Sequence, residues 1–347
     1  MQINNIQIGK NQKPYIIAEM SGNHNQSLDR ALKIVEEAAH SGADAIKLQT
    51  YTADTLTIDK SDGDFYLNDP NSLWHGMSMF ELYKKAYTPW EWHYEIFEKS
   101  KELGITCFSS PFDSTAVDFL ESLNCPCYKI ASTENTDTNL LKKVAKTGKP
   151  VIVSIGMATV EDIGLISDTL QNNGCSKFAL LKCTAAYPAD PKESNLATIA
   201  HLKKLFNCEV GLSDHTLGIS VPIAAVALGA TIIEKHLTLS RIDGGVDSAF
   251  SLEPKEFKAL VEETNSASLS IGSISYGSSN SENATLSRRS LYIVENMKAG
   301  DILTEKNLRS IRPGYGLQAK YYEIVLGMRI NKNVSRGTRL SWGLLKK

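Results

Sequence analysis

Two histidines, His215 and His236, each close a short apolar run, EVGLSDH and TIIEKH. In an extended strand alternate side chains share a face. Ser213 therefore points with His215 and Glu234 with His236, while Asp214 and Lys235 point the other way. If the two strands are neighbours, two imidazoles converge at one rim. Two imidazole ligands leave coordination positions open, the arrangement of a catalytic rather than a structural ion. Imidazole with oxygen ligands suits Mn²⁺ or Co²⁺, with Mg²⁺ a weaker fit. The competing reading is a pair of unrelated polar caps, a role equally open to His24, His40, His75, His93 and His201.

Other runs end in anion-binding groups. Lys47 and Gln49 alternate onto one face of ADAIKLQT. Ser109, Ser110, Ser132, Ser154 and Ser213 bring hydroxyls to further run ends, and Lys129 adds a second cation. Two lysines with a ring of hydroxyls can hold a phosphate and a carboxylate together. Any one of these serines also suits a strand-terminating hydrogen bond. Lys129 has the opposite parity to Ser132 and Glu134 in a regular strand, so its participation requires a bulge or an early strand end. Glu19 and Glu134 are candidates to position a water or move a proton; the alternative for either is a salt bridge with Lys47 or Lys129. Tyr187 and Asp247 are candidates for hydrogen-bonding a polyol, although exposed Tyr and Asp are common.

What these residues share is position. Eight apolar runs, YIIAEM, ADAIKLQT, ITCFSSPF, CYKIAS, PVIVSIG, KFALLKC, EVGLSDH and TIIEKH, each stop at a polar residue. Between most of them lies helical periodicity, as in LDRALKIVEEAAHSGA. Strand and helix alternating eight times predicts an α/β fold, the (β/α)8 TIM barrel, with chemistry at the C-terminal strand ends. We assign residues 1–269 to this barrel. Residues 51–88 form a connection far longer than an ordinary βα loop, carrying Phe65, Tyr66, Trp74, Phe80 and Tyr83. Such an insertion either covers the barrel mouth or packs on a neighbouring subunit. Residues 270–285, rich in Ser, Gly and Asn, read as a flexible linker. In residues 286–347, KAGDILTEKNL (298–308) lines up with SRGTRLSWGLL (335–345), predicting a small pseudo-symmetric β-rich domain. A core of that size is marginal, so this domain is expected to dock on something.

Composition narrows the partners. A chain of 347 residues with 42% hydrophobic and 22% charged residues is ordinary for a globular protein. A net charge of −2 supplies no general field for nucleic acid or anionic membrane. No stretch approaches the roughly 18 apolar residues of a membrane span, and MQINNIQIGKNQ has no signal-peptide core. We therefore expect neither nucleic acid nor membrane as a partner, and any anionic ligand must be gripped locally. Cys125-Pro-Cys127 has no second cysteine pair with which to make a zinc site. All six cysteines are expected to be reduced core residues, which fits a cytoplasmic location.

The motifs together resemble the sialic acid synthase family: AEMSGNHNQSL, GADAIKLQTYT, FSSPFD, YKIASTE, KPVIVSIGMAT, CTAAYP, GLSDHT, the stretch from Gly229 to His236, and RPGYG. They run the whole chain, and the C-terminal segment resembles the antifreeze-like (SAF) domain of that family. The resemblance implies a condensation of phosphoenolpyruvate with an open-chain N-acyl amino sugar, giving a nonulosonic acid and phosphate. It implies that His215 and His236 hold a divalent metal. It also implies that Lys47, Ser109, Lys129, Ser132, Ser154 and Ser213 grip phosphoenolpyruvate, and that Gln49, Tyr187 and Asp247 bind the sugar. By the same resemblance Glu19 and Glu134 are the catalytic carboxylates. Arg312 would enter the partner subunit's active site, which implies a domain-swapped homodimer. AEMSGNH, ELYKKAYTPWEWH and GGVDSAFSLEP look most like the pseudaminic acid synthases, whose sugar is 2,4-diacetamido-2,4,6-trideoxy-L-altrose. Ala185 in CTAAYP, where N-acetylneuraminate synthases are expected to carry asparagine, points the same way. N-acetylneuraminate and legionaminate synthases remain the near alternatives. A non-catalytic carbohydrate- or ice-binding protein is the distant one, and it has no need of Glu19, Lys47, Lys129, His215 and His236 together.

Overall fold

Every residue of Tyr15–Glu19 (β1), Val151–Ser154 (β5) and Ile232–His236 (β8) is buried, as in strands covered on both faces. The computed structural model describes residues 1–70, 72–276 and 282–346. Five further strands complete the set: Ala45–Thr50 (β2), Thr106–Pro111 (β3), Tyr128–Ile130 (β4), Phe178–Cys183 (β6) and Glu209–Asp214 (β7). They pair in parallel in sequence order, and β8 closes on β1 to make an eight-stranded barrel. Amphipathic helices surround it, starting with Leu28–His40 (α1), which buries Ala31, Ile34, Val35 and Ala38 at helical spacing. Ser27 caps α1 by accepting from the Arg30 amide. Leu237 and Leu252 then bridge the chain into Pro254–Ile271, the last helix of this unit.

The chain divides into two compact units, Met1–Gly272 and Ser273–Lys347. Helix Pro254–Ile271 runs two residues into the stretch read as a linker. Residues 272–276 have no regular structure, residues 277–281 lie outside the described residues, and Glu282–Ser287 is helical. In the second unit Ser290–Ile293 (β9) pairs antiparallel with Leu308–Ile311 (β10). Isolated bridges such as Met297 with Val334 and Ile330 with Leu345 extend the β-structure. The repeat is real in three dimensions: Gly300 and Gly337 both turn at positive φ, 95° and 90°. Leu303 and Leu340, one on each arm, are both buried in this unit's own apolar cluster. Lys347 lies outside the described residues.

Alternation along β7 and β8 places Asp214 and Lys235 on the outer face of the barrel, and they are register partners. There the Lys235 ammonium donates to the Asp214 carboxylate and to the Thr216 carbonyl. Asp214 also accepts from the Thr216 amide (3.2 Å) and hydroxyl (3.0 Å). Both side chains are buried, 0% and 2% exposed, so neither charge has water to fall back on. Removing one partner strands the other. Lys235→Met is expected to lower stability by about 3–5 kcal/mol in urea unfolding followed by far-ultraviolet circular dichroism, and adding Asp214→Asn should restore more than half of the loss. An unchanged midpoint for Lys235→Met would contradict this account.

Candidate active site

The inward-facing residues at the C-terminal strand ends open into a cavity of about 410 Å³. From the strands it receives Glu19, Lys47, Gln49, Lys129, Ser154, Cys183, Ser213, Glu234 and His236. From the loops just beyond come Ser21, Ser132, Glu134, Tyr187, His215 and Asp247. With Phe112, the residue after β3, all eight strand ends converge on one volume, as the barrel requires.

Its floor is a buried cluster of charges. Lys47 Nζ lies 2.6 Å from Glu19 Oε2 and 3.8 Å from Glu234 Oε1. Lys129 Nζ is 3.6 Å from Glu234 Oε1, beyond hydrogen-bond distance, so its donors remain for a ligand. Gln49 Nε2 donates to Glu19 Oε1 at 2.9 Å, and Ser213 Oγ to Glu234 Oε1 at 3.0 Å. The two carboxylates are driven apart. Burial, with the charge of Glu234, raises Glu19 despite Lys47. Burial also acts to raise Glu234, but Lys129 and Lys47 together pull it below the usual range. Two carboxyls separated in this way suit one proton carrier and one permanent anion. Of the two readings of Glu19 the salt bridge with Lys47 is the one seen, and it lies within the cavity itself. Burial raises Glu134 as well, and its Oε2 accepts from Thr133 Oγ1 at 2.6 Å.

The parity problem at Lys129 resolves through an early strand end. Strand β4 stops at Ile130, so Ser132 and Glu134 lie in the turn beyond it and do not obey alternation. Ser132 Oγ accepts from the Gly156 amide at 3.1 Å. A Cβ at position 156 would come within 2.7 Å of that hydroxyl, so only glycine allows the approach. The Ser154 hydroxyl is buried without a partner, a cost that a bound anion would relieve.

Ser109 is a correction. Register sets Leu48 opposite Ser109 and Gln49 opposite Ser110. With Gln49 facing the cavity, Ser110 faces in and Ser109 faces the helices. Ser109 Oγ accordingly pairs with Thr50 Oγ1 (2.6 Å), which also meets His93 Nε2 (2.8 Å). Ser110 Oγ accepts from Lys47 Nζ at 3.2 Å and is the β3 hydroxyl of the charge cluster. Arg312 lies exposed in the second unit.

The histidines behave as a pair. Their ring centroids are 5.3 Å apart. His215 Nδ1 lies 3.0 Å from the Thr184 carbonyl, which can only accept, so Nδ1 carries the proton and Nε2 keeps its lone pair. His236 Nδ1 is buried without a hydrogen bond, 4.0 Å from Asp247 Oδ2. Burial, followed by the charge of His215, holds His236 well below the ordinary histidine range and therefore neutral. Burial also pulls His215 down, but the adjacent Cys183 more than offsets this and leaves it somewhat raised. Two imidazoles with an orphaned nitrogen fit a divalent cation. Among the described residues no group of three or more His, Cys, Asp or Glu is placed to hold a metal ion together. By contrast, His24 and His93 are core histidines, each pushed down to about 4 by burial.

Above the histidines, the Tyr187 ring lies 4.4 Å from His215 and 5.4 Å from Phe250. Asp247 accepts from Ser21 Oγ, which in turn accepts from Gln49 Nε2 at 3.1 Å. Ser21 adopts a positive φ of 46°, so the backbone is bent out of the ordinary range to make this bridge. Neither Ser21 nor Glu234 was assigned a role from sequence. The alternation that pairs Glu234 with His236 could have found the second; nothing short of the loop's path could have found the first. The long 51–88 connection reaches the same cavity through Leu56, Leu67, Trp74, Met79, Leu82, Tyr83 and Ala86. Of its two sequence readings, covering the mouth is therefore the one realised within this chain.

The chain matches the NeuB family over residues 34–276 and the SAF domain over residues 288–346. It is 43% identical to the pseudaminic acid synthase of Campylobacter jejuni, with 98% of each chain covered. It is 36% identical to the N,N'-diacetyllegionaminic acid synthase of Legionella pneumophila, over 96% of this chain and 95% of that one. Among solved structures, the N-acetylneuraminic acid synthetase of Leptospira borgpetersenii superposes with a TM-score of 0.73 at 32% identity, covering 82% of this chain and 94% of its own. With the match spanning more than half its length and relatives aligning from end to end, this chain belongs to the NeuB family.

Proposed function

We propose that the protein is a pseudaminic acid synthase, condensing phosphoenolpyruvate with 2,4-diacetamido-2,4,6-trideoxy-L-altrose and water to give pseudaminic acid and phosphate. The supporting relatives align over nearly the whole chain. The observation that carries the chemistry is the buried Lys47, Lys129 and hydroxyl set sharing one cavity with the neutral imidazole of His236.

Phosphoenolpyruvate needs two anionic groups held at once. Lys47, steadied by the Ser110 hydroxyl, and Lys129 supply the charge, while Ser132, Ser154 and Ser213 supply hydroxyls in a site shielded from water. Gln49, Tyr187 and Asp247, the last steadied by Ser21, are left to orient the sugar. His215 and His236 would hold a divalent ion, Mn²⁺, Co²⁺ or Mg²⁺, which when bound supplies Lewis-acid polarisation of the sugar aldehyde. As the C2=C3 π bond of phosphoenolpyruvate opens, C3 forms the new bond to the aldehyde carbon, the aldehyde oxygen takes up a proton to become a hydroxyl, and water adds at C2. Glu19 takes the proton that this water loses, a task its raised pKa favours. Collapse of the resulting tetrahedral centre breaks the C–O bond to phosphate.

The deciding assay measures phosphate released from phosphoenolpyruvate with each acceptor. Turnover is expected with the trideoxy altrose sugar and not with N-acetylmannosamine; the reverse result would instead favour an N-acetylneuraminate synthase. Activity should vanish on chelation and return with Mn²⁺, and His215→Ala should lose Mn²⁺ binding in calorimetry as well as turnover.

The pH profile tests Glu19. Its carboxylate form is lost as pH falls through a raised pKa, so the acid limb of kcat should lie above the ordinary glutamate value near 4.3. Glu19→Gln should cost about 10²–10⁴ in kcat and abolish that limb. An acid limb left unchanged in Glu19→Gln would assign it elsewhere, with Glu134 next in line.

We further propose that the active form is a homodimer in which Arg312 of one chain completes the site of the other. The reading rests on the family resemblance of the RPGYG motif. Co-expressing His215→Ala with Arg312→Ala chains should then restore about a quarter of wild-type activity, because one site in each mixed dimer is intact. Activity no greater than that of the two parents would rule out the exchange.

A further inference from the structure

We propose that the 51–88 insertion is the element that selects a 6-deoxy sugar, by presenting an apolar subsite to the C6 methyl group. The inference rests on the synthase reading above and adds to it the residues that set sugar choice.

The helix Met79–Ala86 begins at a capping box in which Ser78 and Glu81 satisfy each other's backbone amides. Met79, Leu82, Tyr83 and Ala86 stand at i, i+3, i+4 and i+7, a single face of that helix, and all four line the catalytic cavity. An amphipathic helix ordinarily turns such a stripe to the core. Here the stripe faces a ligand volume, joined by Leu56 and Leu67 from the same insertion. Trp74 adds its ring alone, because its one N–H is already donated to the Val246 carbonyl at 3.0 Å. That bond also ties the insertion to the loop carrying Asp247. On the other side, Gln26 Nε2 donates to the Lys85 and Tyr87 carbonyls at 3.0 and 2.7 Å, holding the end of the helix. The apolar surface is thus fixed in place rather than loosely draped.

The two substrates divide these walls between them. Phosphoenolpyruvate is a carboxylate and a phosphate around one CH₂ and belongs with the lysines and serines. The acetamido groups of the acceptor each carry an N–H and a carbonyl that need polar partners. The C6 methyl has no polar atom, and Leu56, Leu67, Met79 and Leu82 of the insertion give it the largest group of aliphatic side chains in the cavity lining. The Leu67 and Met79 side chains would offer a C6 hydroxyl no hydrogen bond, so such a hydroxyl seated against them is disfavoured. An apolar pocket rejects an added hydroxyl by about 10–100-fold.

The test compares kcat/KM for 2,4-diacetamido-2,4,6-trideoxy-L-altrose with that for the matched 6-hydroxy sugar. Wild type should favour the deoxy sugar by about 10–100-fold. Leu67→Asn and Met79→Gln should cut that ratio at least several-fold while the KM for phosphoenolpyruvate stays within about twofold. Wild-type turnover of both sugars at equal kcat/KM, or variants that keep the full ratio, would overturn the subsite and leave the synthase assignment standing. Failure of wild type to use the trideoxy sugar at all would strike the synthase assignment instead. Should the variants turn over neither sugar, inhibition of wild type by the two reduced alditols decides: a Ki ratio of about 10 or more supports the subsite, and a ratio near one overturns it.

Discussion

Four charges meet at the mouth of the barrel, and the architecture follows from the need to hold them there. Glu19, Lys47, Lys129 and Glu234 have side chains no more than 5% exposed. Each ion loses several kcal/mol of hydration on burial, and the loss is offset only where opposite charges and hydrogen bonds are placed accurately. No two of the four come from the same strand. Glu19 and Lys47 are register partners across β1 and β2, whereas Glu234 sits on β8. Glu234 reaches Lys47 because β8 closes on β1; an open sheet would leave it at the far edge with its charge uncompensated. Closure and the charge cluster therefore depend on each other.

The same alternation that turns Glu234 and His236 inward turns Lys235 outward, and it does so for Asp214 between Ser213 and His215. Strands β7 and β8 consequently carry polar side chains on both faces, with an ion pair behind the histidines and a hydrogen-bonded carboxylate in front. Val210, Leu212, Ile232 and Ile233 anchor these strands in the core, and the polar contacts at their C-terminal ends hold position further. The Asp214–Lys235–Thr216 contacts fix the chain on either side of His215, and the Thr184 carbonyl fixes its ring. The geometry of two imidazoles 5.3 Å apart is thereby set by the chain's own contacts.

Most of this arrangement is legible in the chain itself, because period-two alternation is a local property. It selects Lys47 with Gln49, and His215 with Ser213, without reference to anything distant. Ser109 shows where that reasoning stops. Two adjacent serines end the run ITCFSSPF, and which one faces the cavity depends on the pairing of Lys47 with Phe108, a register between strands some sixty positions apart. Lys129 was ambiguous for the opposite reason: its strand is only three residues long, too short to display a pattern. Ser21 needed knowledge of a strained loop, and the role of the insertion needed the direction in which a short helix turns its apolar stripe.

The site thus has two kinds of wall with different freedoms. Strand-end residues are tied to barrel register, so a shift of one residue would exchange the entire inner and outer sets of side chains. They can hardly vary without loss of the charge cluster. The insertion is held by a few bonds, from Trp74 and Gln26, and its cavity-facing side chains share no register with the strands. Relatives whose names carry different sugar acids align with this chain over nearly its whole length. A common condensation can therefore be kept in the strands while the choice of sugar is rewritten in the loops. Selectivity in such a barrel is then set by whether the surface opposing each substituent can hydrogen-bond, and along one face of Met79–Ala86 it is predominantly apolar.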